Sequence, residues 1–214
     1  MSELFASFIN YAANLPWLEL IAMLLALAYL LFASVGSIWC WPAAFISTAL
    51  YTYIFYDVAL LMESALNVYY LIMAVYGYWI WQQDSTQKKL DNIPSLNIVS
   101  WQFRVHIKAC VALTIISIGL GFVMANYTAA DFPYLDTFTT VFAVFATYLV
   151  AQKVLENWLY WIVIDAASIY LYMAKSLTPT VVLFVIYVFI ATWGYFKWYS
   201  LYKSAPTKQN LPNG

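Results

Sequence analysis

Residues 77–81 read GYWIW, and residues 194–198 read GYFKW. Sliding the chain along itself by 117 residues lays one on the other. The same shift sets Tyr70 on Tyr187, Tyr53 on Tyr170 and Trp41 on Trp158, with no gap across 41 positions. Ala49/Ala166, Leu66/Leu183, Val68/Val185 and Ala74/Ala191 are identical in that register too. An aromatic-rich chain matches itself at scattered points by chance. A single register held over two long segments marks an internal repeat.

Composition says what is repeated. Of 214 residues, 65% are hydrophobic and 9% charged, too little charge to cover a soluble domain. Apolar runs recur near the ~20 residues needed to cross a bilayer, so the chain reads as an integral membrane protein. Seven spans are expected, at 17–34, 38–56, 61–82, 105–124, 134–152, 157–174 and 179–199. The shift pairs the first three with the last three and leaves the fourth over. Two three-helix units joined directly would be inverted; one extra crossing makes them parallel. The expected fold is therefore all-α and seven-helical, a 3+1+3 arrangement in one membrane domain. Its parts are 17–82, a linker helix at 105–124, 134–199, and a tail at 200–214.

The opening MSELFASFINYAANLPW has neither a basic start nor a small-residue cleavage site, so it does not read as a signal peptide. QQDSTQKKLDNIPSLNIVSWQFR (82–104) reads as a loop, and APTKQNLPNG (205–214) as disordered. Cys40 and Cys110 make neither a disulfide framework nor a metal motif. The few basic residues sit at segment ends, which excludes a nucleic-acid footprint. With seven spans, Lys88, Lys89, Arg104, Lys108, Lys153, Lys197, Lys203 and Lys208 share the face carrying the C-terminus, and only Lys175 falls on the other. Positive residues mark the cytoplasm, so the N-terminus is expected outside and the C-terminus inside.

Steps of three and four keep helical residues on one side. Trp158, Trp161, Asp165, Ser168 and Tyr172 follow that spacing, as do Asn67, Tyr70, Ala74, Gly77 and Trp81, and Trp41, Ala44, Thr48, Tyr51 and Phe55. Lipid-facing stripes have little use for Asp, Asn and Thr, so these faces turn inward. Asp165 is the sharpest signal, because a mid-span carboxylate costs roughly 2.5–3.5 kcal/mol even on the mildest scale. It could be a structural group hydrogen-bonded across helices. Beside two tryptophans it also suits a flat, cationic aromatic ligand, the rings stacking and the carboxylate balancing charge. Other features read as structural. Gly77 and Gly194 allow close helix contact, and Trp39, Trp41, Trp101 and Trp198 suit a belt at the interfaces. His106 reads as a surface residue. Glu19 fits a gate and a plain surface role equally.

These residues carry a resemblance. LEN-W158-LY-W161-IVI-D165 resembles the Glu-Asn-Trp-x-x-Trp-x-x-x-Asn/Asp motif of the PnuC family of vitamin-precursor transporters. Trp17 and Glu19 resemble its first-helix signature, and YGYWIW (76–81) its Tyr-Gly-Trp-x-x-Trp region. The resemblance runs from about residue 17 to 199. It implies a homotrimeric fold related to the SWEETs that moves a small vitamin precursor across the bacterial inner membrane by facilitated diffusion. A cytoplasmic kinase then traps the cargo, and no cofactor is required. Carried onto this chain, it makes Trp158 and Trp161 stacking residues, Asp165 the polar contact and Asn157 part of the same signature; Asn67, Tyr70, Thr48, Tyr51 and Ser168 complete the candidate site. Members that carry nicotinamide riboside often have Asn at the position of Asp165, Gln at that of Asn67 and Asn at that of Ala74. Other relatives are associated with thiamine, riboflavin or deoxynucleosides. Nicotinamide riboside is the default substrate and thiamine, also a ring cation, the alternative, since an aspartate favours either over neutral riboflavin.

Other classes fit poorly. A retinal-binding protein needs a lysine in its last span, and 179–196 has none. A membrane enzyme would need a metal cluster or a nucleophile–base pair that one histidine and two separated cysteines do not offer. Ion coupling would rest on Asp165, and a uniporter is simpler.

Overall fold

The computed structural model describes residues 17–57, 61–91, 97–128, 131–174 and 178–204. Lys175, the first sixteen residues and the tail 205–214 with Lys208 lie outside the described residues. Within them, seven helices follow in order: α1 (Trp17–Ser34), α2 (Cys40–Asp57), α3 (Leu61–Asp91), α4 (Phe103–Tyr127), α5 (Pro133–Ala151), α6 (Asn157–Ala174) and α7 (Thr178–Ser204). Four of them, α1, α4, α5 and the Thr180–Ser204 part of α7, are individually long and apolar enough to cross a membrane. In α2, α3 and α6, Trp, Tyr, Thr, Asn and Asp replace aliphatic residues on the inward faces.

One expectation needs correcting. Residues 82–91, read as loop, continue α3 as helix. Gln, Lys and Leu there are good helix formers, and the first proline is Pro94. An α-helix keeps its backbone bonds in water as well as in lipid, so polarity marks where the hydrocarbon stops but not where the helix does.

Helix α2 packs on α1 and α3, and α6 packs on α5 and α7. The two triplets meet along α1–α7 and α3–α5. The 117-residue shift exchanges α1 with α5 and α3 with α7, so each seam maps onto the other. Helix α4 packs chiefly on α5. It leaves Val111, Ile115, Ile118 and Phe122 facing outward.

The same register appears in local geometry. Helix α1 ends in a Schellman motif: Ser37 N donates to Phe32 O at 2.8 Å and Gly36 N to Ala33 O at 2.9 Å. Helix α5 ends alike, with Val154 N to Leu149 O at 2.9 Å and Lys153 N to Val150 O at 3.0 Å. The left-handed position is Gly36 (φ 71°) in one and Lys153 (φ 54°) in the other. Beyond each turn, a tryptophan ring lies on a glycine. A Cβ on Gly77 would run into Trp41, and one on Gly194 would come within 2.8 Å of Trp158.

Four tryptophans close this end of the bundle. Trp41 meets Trp81 edge-on at 5.5 Å, and Trp158 meets Trp198 edge-on at 5.5 Å. Trp81 and Trp198 lie 6.2 Å apart across the seam. Trp81 Nε1 donates to Ala151 O at 3.1 Å, and Trp198 Nε1 to Ala33 O at 3.0 Å. Each bond ties one triplet to the other. The belt expected of Trp41 and Trp198 therefore does not hold: they are 1% and 0% exposed, because their helix ends face the opposite triplet rather than headgroups. Trp39, at 67% exposed, does look outward.

His106 is corrected too. Its Nδ1 lies 3.0 Å from Tyr160 Oη and its Nε2 3.5 Å from Glu156 Oε2. The segment before α4 pairs with the α5–α6 turn, Val99 N to Lys153 O at 3.1 Å and Leu155 N to Val99 O at 2.8 Å. Glu156 also accepts from Ser100 Oγ and from Trp101 N. The histidine is thereby covered by the loop that anchors α4.

Candidate functional site

A cavity of ≈180 Å³ opens between the triplets. Helix α2 supplies one wall, where Trp41, Ala44, Thr48 and Tyr51 follow steps of three, four and three. Asn67 and Tyr70 of α3 and Trp161 of α6 close it, with Ala26, Tyr29, Ser47 and Thr147 filling between them. Helical hydroxyls in this wall are turned onto carbonyls. Thr48 Oγ1 donates to Ala44 O at 2.8 Å, Ser47 Oγ to Ala22 O at 2.8 Å and Thr147 Oγ1 to Ala143 O at 2.8 Å. What remains toward the cavity is largely apolar and aromatic, the surface that a flat ring favours.

Thr48, Tyr51, Asn67, Tyr70 and Trp161, expected from sequence, come together in this lining. Trp158, Asn157, Asp165 and Ser168 are outside it, though all four are buried. Trp158 is held between Gly194 and Trp198. Asn157 Nδ2 donates to Val154 O at 2.6 Å and closes the α5–α6 turn. The structure thus gives these two motif residues a packing role next to the site.

Asp165 stands one turn beyond Trp161 and is 4% exposed. Among the described residues no cation pairs with it. Tyr187 of α7 lies near enough to interact electrostatically with Asp165, with Tyr51 of the cavity wall and with Tyr172. Tyr187 thus lies within electrostatic range of both the carboxylate and a residue of the cavity wall. No trio of His, Cys, Asp or Glu able to hold a metal occurs among the described residues.

Sequence reasoning missed Ala26, Tyr29, Ser47 and Thr147. Tyr29, a phenol within an aliphatic run, was a signal that could have been used; Ala26 offered none. Trp41 lay on the predicted inner face but was assigned to the interface.

Comparison with known proteins places this architecture. The chain is 24% identical over 208 residues to the riboflavin/roseoflavin transporter RibM of Streptomyces davaonensis, covering 96% of each chain. It is 23% identical over 206 residues to the nicotinamide riboside transporter PnuC of Escherichia coli, covering 86% of each. The crystal structure of the vitamin B3 transporter PnuC superposes with a TM-score of 0.71 at 21% identity, over 94% of this chain and 91% of that one. That likeness shows the fold: an all-helical membrane bundle. The nicotinamide mononucleotide transporter family model matches residues 16–200, nearly the whole chain, and the protein belongs to that family.

Proposed function

We propose that this member of a vitamin-transporter family is a uniporter for a flat, cationic vitamin precursor, nicotinamide riboside by default and thiamine as the alternative. The observation that carries the reading is Asp165, buried one turn from the cavity-lining Trp161 with no described cation beside it. A carboxylate so placed is costly until something positive arrives. A ring cation stacked on Trp161, one turn away, would supply that charge. In this reading Trp161, Thr48, Tyr51, Asn67 and Tyr70 touch the cargo, Asp165 and Ser168 sit behind them, and Trp158 and Asn157 hold the wall in place.

The cavity also bears on size. At ≈180 Å³ it falls below the roughly 300–1,000 Å³ common for drug-sized ligands. It suits a single ring and a sugar better than a three-ring flavin. The similarity to RibM adds riboflavin as a further substrate to test. The basic residues at the end where α7 finishes support a cytoplasmic C-terminus, and by family likeness the protein is a trimer of the bacterial inner membrane whose cargo a kinase traps.

Calorimetry of nicotinamide riboside, thiamine and riboflavin on the detergent-purified protein tests the substrate. Tight binding of nicotinamide riboside alone supports the default; tight binding of riboflavin alone removes the cationic reading. In vesicles without a kinase, cargo should only equilibrate. Accumulation driven by a sodium or proton gradient would replace the uniporter with a coupled transporter.

A further inference from the structure

The four tryptophans at the end of the bundle do not all use their indole N–H in the same way. Trp81 and Trp198 each donate to a backbone carbonyl of the opposite triplet. Trp41 is as buried as they are, and its Nε1 has no partner among the described residues. Leaving a buried donor unmade costs more than a formed bond returns, so such groups are rare and call for an explanation.

Position supplies one. Trp41 lines the cavity, while Ser47, Thr48 and Thr147 in the same wall are already engaged with helix carbonyls. Trp158, the counterpart of Trp41 in the other triplet, also has an unpartnered Nε1. It is not in the lining, however, and Asn157 Oδ1 on the preceding residue is an orphaned acceptor. Among the described residues, no lining acceptor is left buried and unpaired for Trp41. Its ring is fixed by Gly77 beneath it and by Trp81 and Tyr29 at its sides. Among the described residues it is a rigid donor with no acceptor.

We propose that Trp41 Nε1–H is a ligand-binding group: it donates to a neutral oxygen of the cargo, a hydroxyl or an amide carbonyl, at the end of the cavity nearest the tryptophan cluster. The inference rests on the transport reading above and sharpens it. Trp161 reads the flat ring, and Trp41 selects for cargo with an oxygen acceptor. An analogue with hydrogen or methyl in place of that oxygen is discriminated against.

The test replaces Trp41 with 3-benzothienylalanine, which keeps the two-ring shape and puts sulfur where the N–H was. Trp41→Phe serves as a genetically simple second variant. Binding of nicotinamide riboside, thiamine and riboflavin is measured by calorimetry, and thermal unfolding without ligand is recorded alongside. The expected result is an isostere that unfolds no earlier than the parent yet binds the preferred ligand about three- to tenfold more weakly. An analogue lacking the acceptor oxygen should bind parent and isostere equally. Unchanged affinity in the isostere with raised stability would overturn the proposal, the orphan then being a packing cost alone. If the parent binds none of the three ligands, the transport reading itself fails and this inference falls with it.

Discussion

Where α1 and α5 stop, the two triplets are built alike. Gly36 and Lys153 occupy the same left-handed turn, Trp41 rests on Gly77 as Trp158 rests on Gly194, and Trp81 and Trp198 each cross the seam to a carbonyl. Halfway along the bundle the same register pairs unlike residues: Ala44 with Trp161, Thr48 with Asp165, Tyr51 with Ser168, Asn67 with Phe184. The difference has a physical logic. Contacts that hold the halves to each other gain from being duplicated, since one solution serves both seams. A small cargo has no two-fold axis, so the groups that read it must differ between the halves.

The largest test of this contrast is in the tryptophan cluster. Trp198→Ala and Trp81→Ala should each cost about 3–5 kcal/mol of unfolding stability, a fully buried aromatic lost together with an inter-triplet bond. The two costs should be similar in denaturant unfolding of the detergent-solubilised protein. A large cost on one side only would break the claim that the seams are equivalent.

Glycines give the next effect. Gly194→Ala places a methyl 2.8 Å from the Trp158 ring, and Gly77→Ala drives one into Trp41. Both rings are locked by their neighbours, so each change should destabilise by about 1–3 kcal/mol. Gly119 of α4 is the control. An added Cβ there meets nothing within 4 Å, and Gly119→Ala should stabilise the helix by roughly 0.5–1 kcal/mol. Thermal melting of the three variants separates close packing from helix propensity.

At mid-bundle the effects should move from stability to binding. Asp165→Asn removes a buried carboxyl group with no described cation beside it and should leave melting unchanged or raised, while affinity for a cationic cargo falls about tenfold, on the order of 1.4 kcal/mol. Thr48→Val, at the matching position, breaks a bond to its own helix and should alter both by far less. Equal effects on binding would mean that the asymmetry at this level is not used by the ligand. Calorimetry on the two variants decides.

Most of the fold could be read from spacing, because bilayer thickness and helical periodicity act on every residue of a span. The seven helices, the inward faces of α2, α3 and α6 and the glycine contacts all follow from that. What escaped notice depended on which surfaces meet. Trp41 and Trp198 looked like interface residues because their distance along the helix suited a headgroup; only the opposite triplet makes them core. His106 looked exposed because its neighbours are Arg104 and Lys108, yet Glu156 and Tyr160, far along the sequence, pack against it. In the site, residues on polar, periodic faces were found, whereas Tyr29 stands in an aliphatic run of α1 that gives no such pattern.

Trp161 offers the finest test of the division between the halves. Its counterpart is Ala44, so in this pair only the second triplet presents a ring to the cavity. Trp161→Phe keeps a flat face but shortens it. Offset stacking contributes about 0.5–1.5 kcal/mol beyond buried area, and losing part of it should weaken binding roughly two- to threefold without changing stability much. Trp161→Ala removes the face altogether and should weaken binding further. If Phe and Ala lose the same amount, the ring fills space and does not stack. The placement of cargo against α6 would then have to give way to one centred on α2, where Trp41, Tyr51 and Thr48 line the opposite wall.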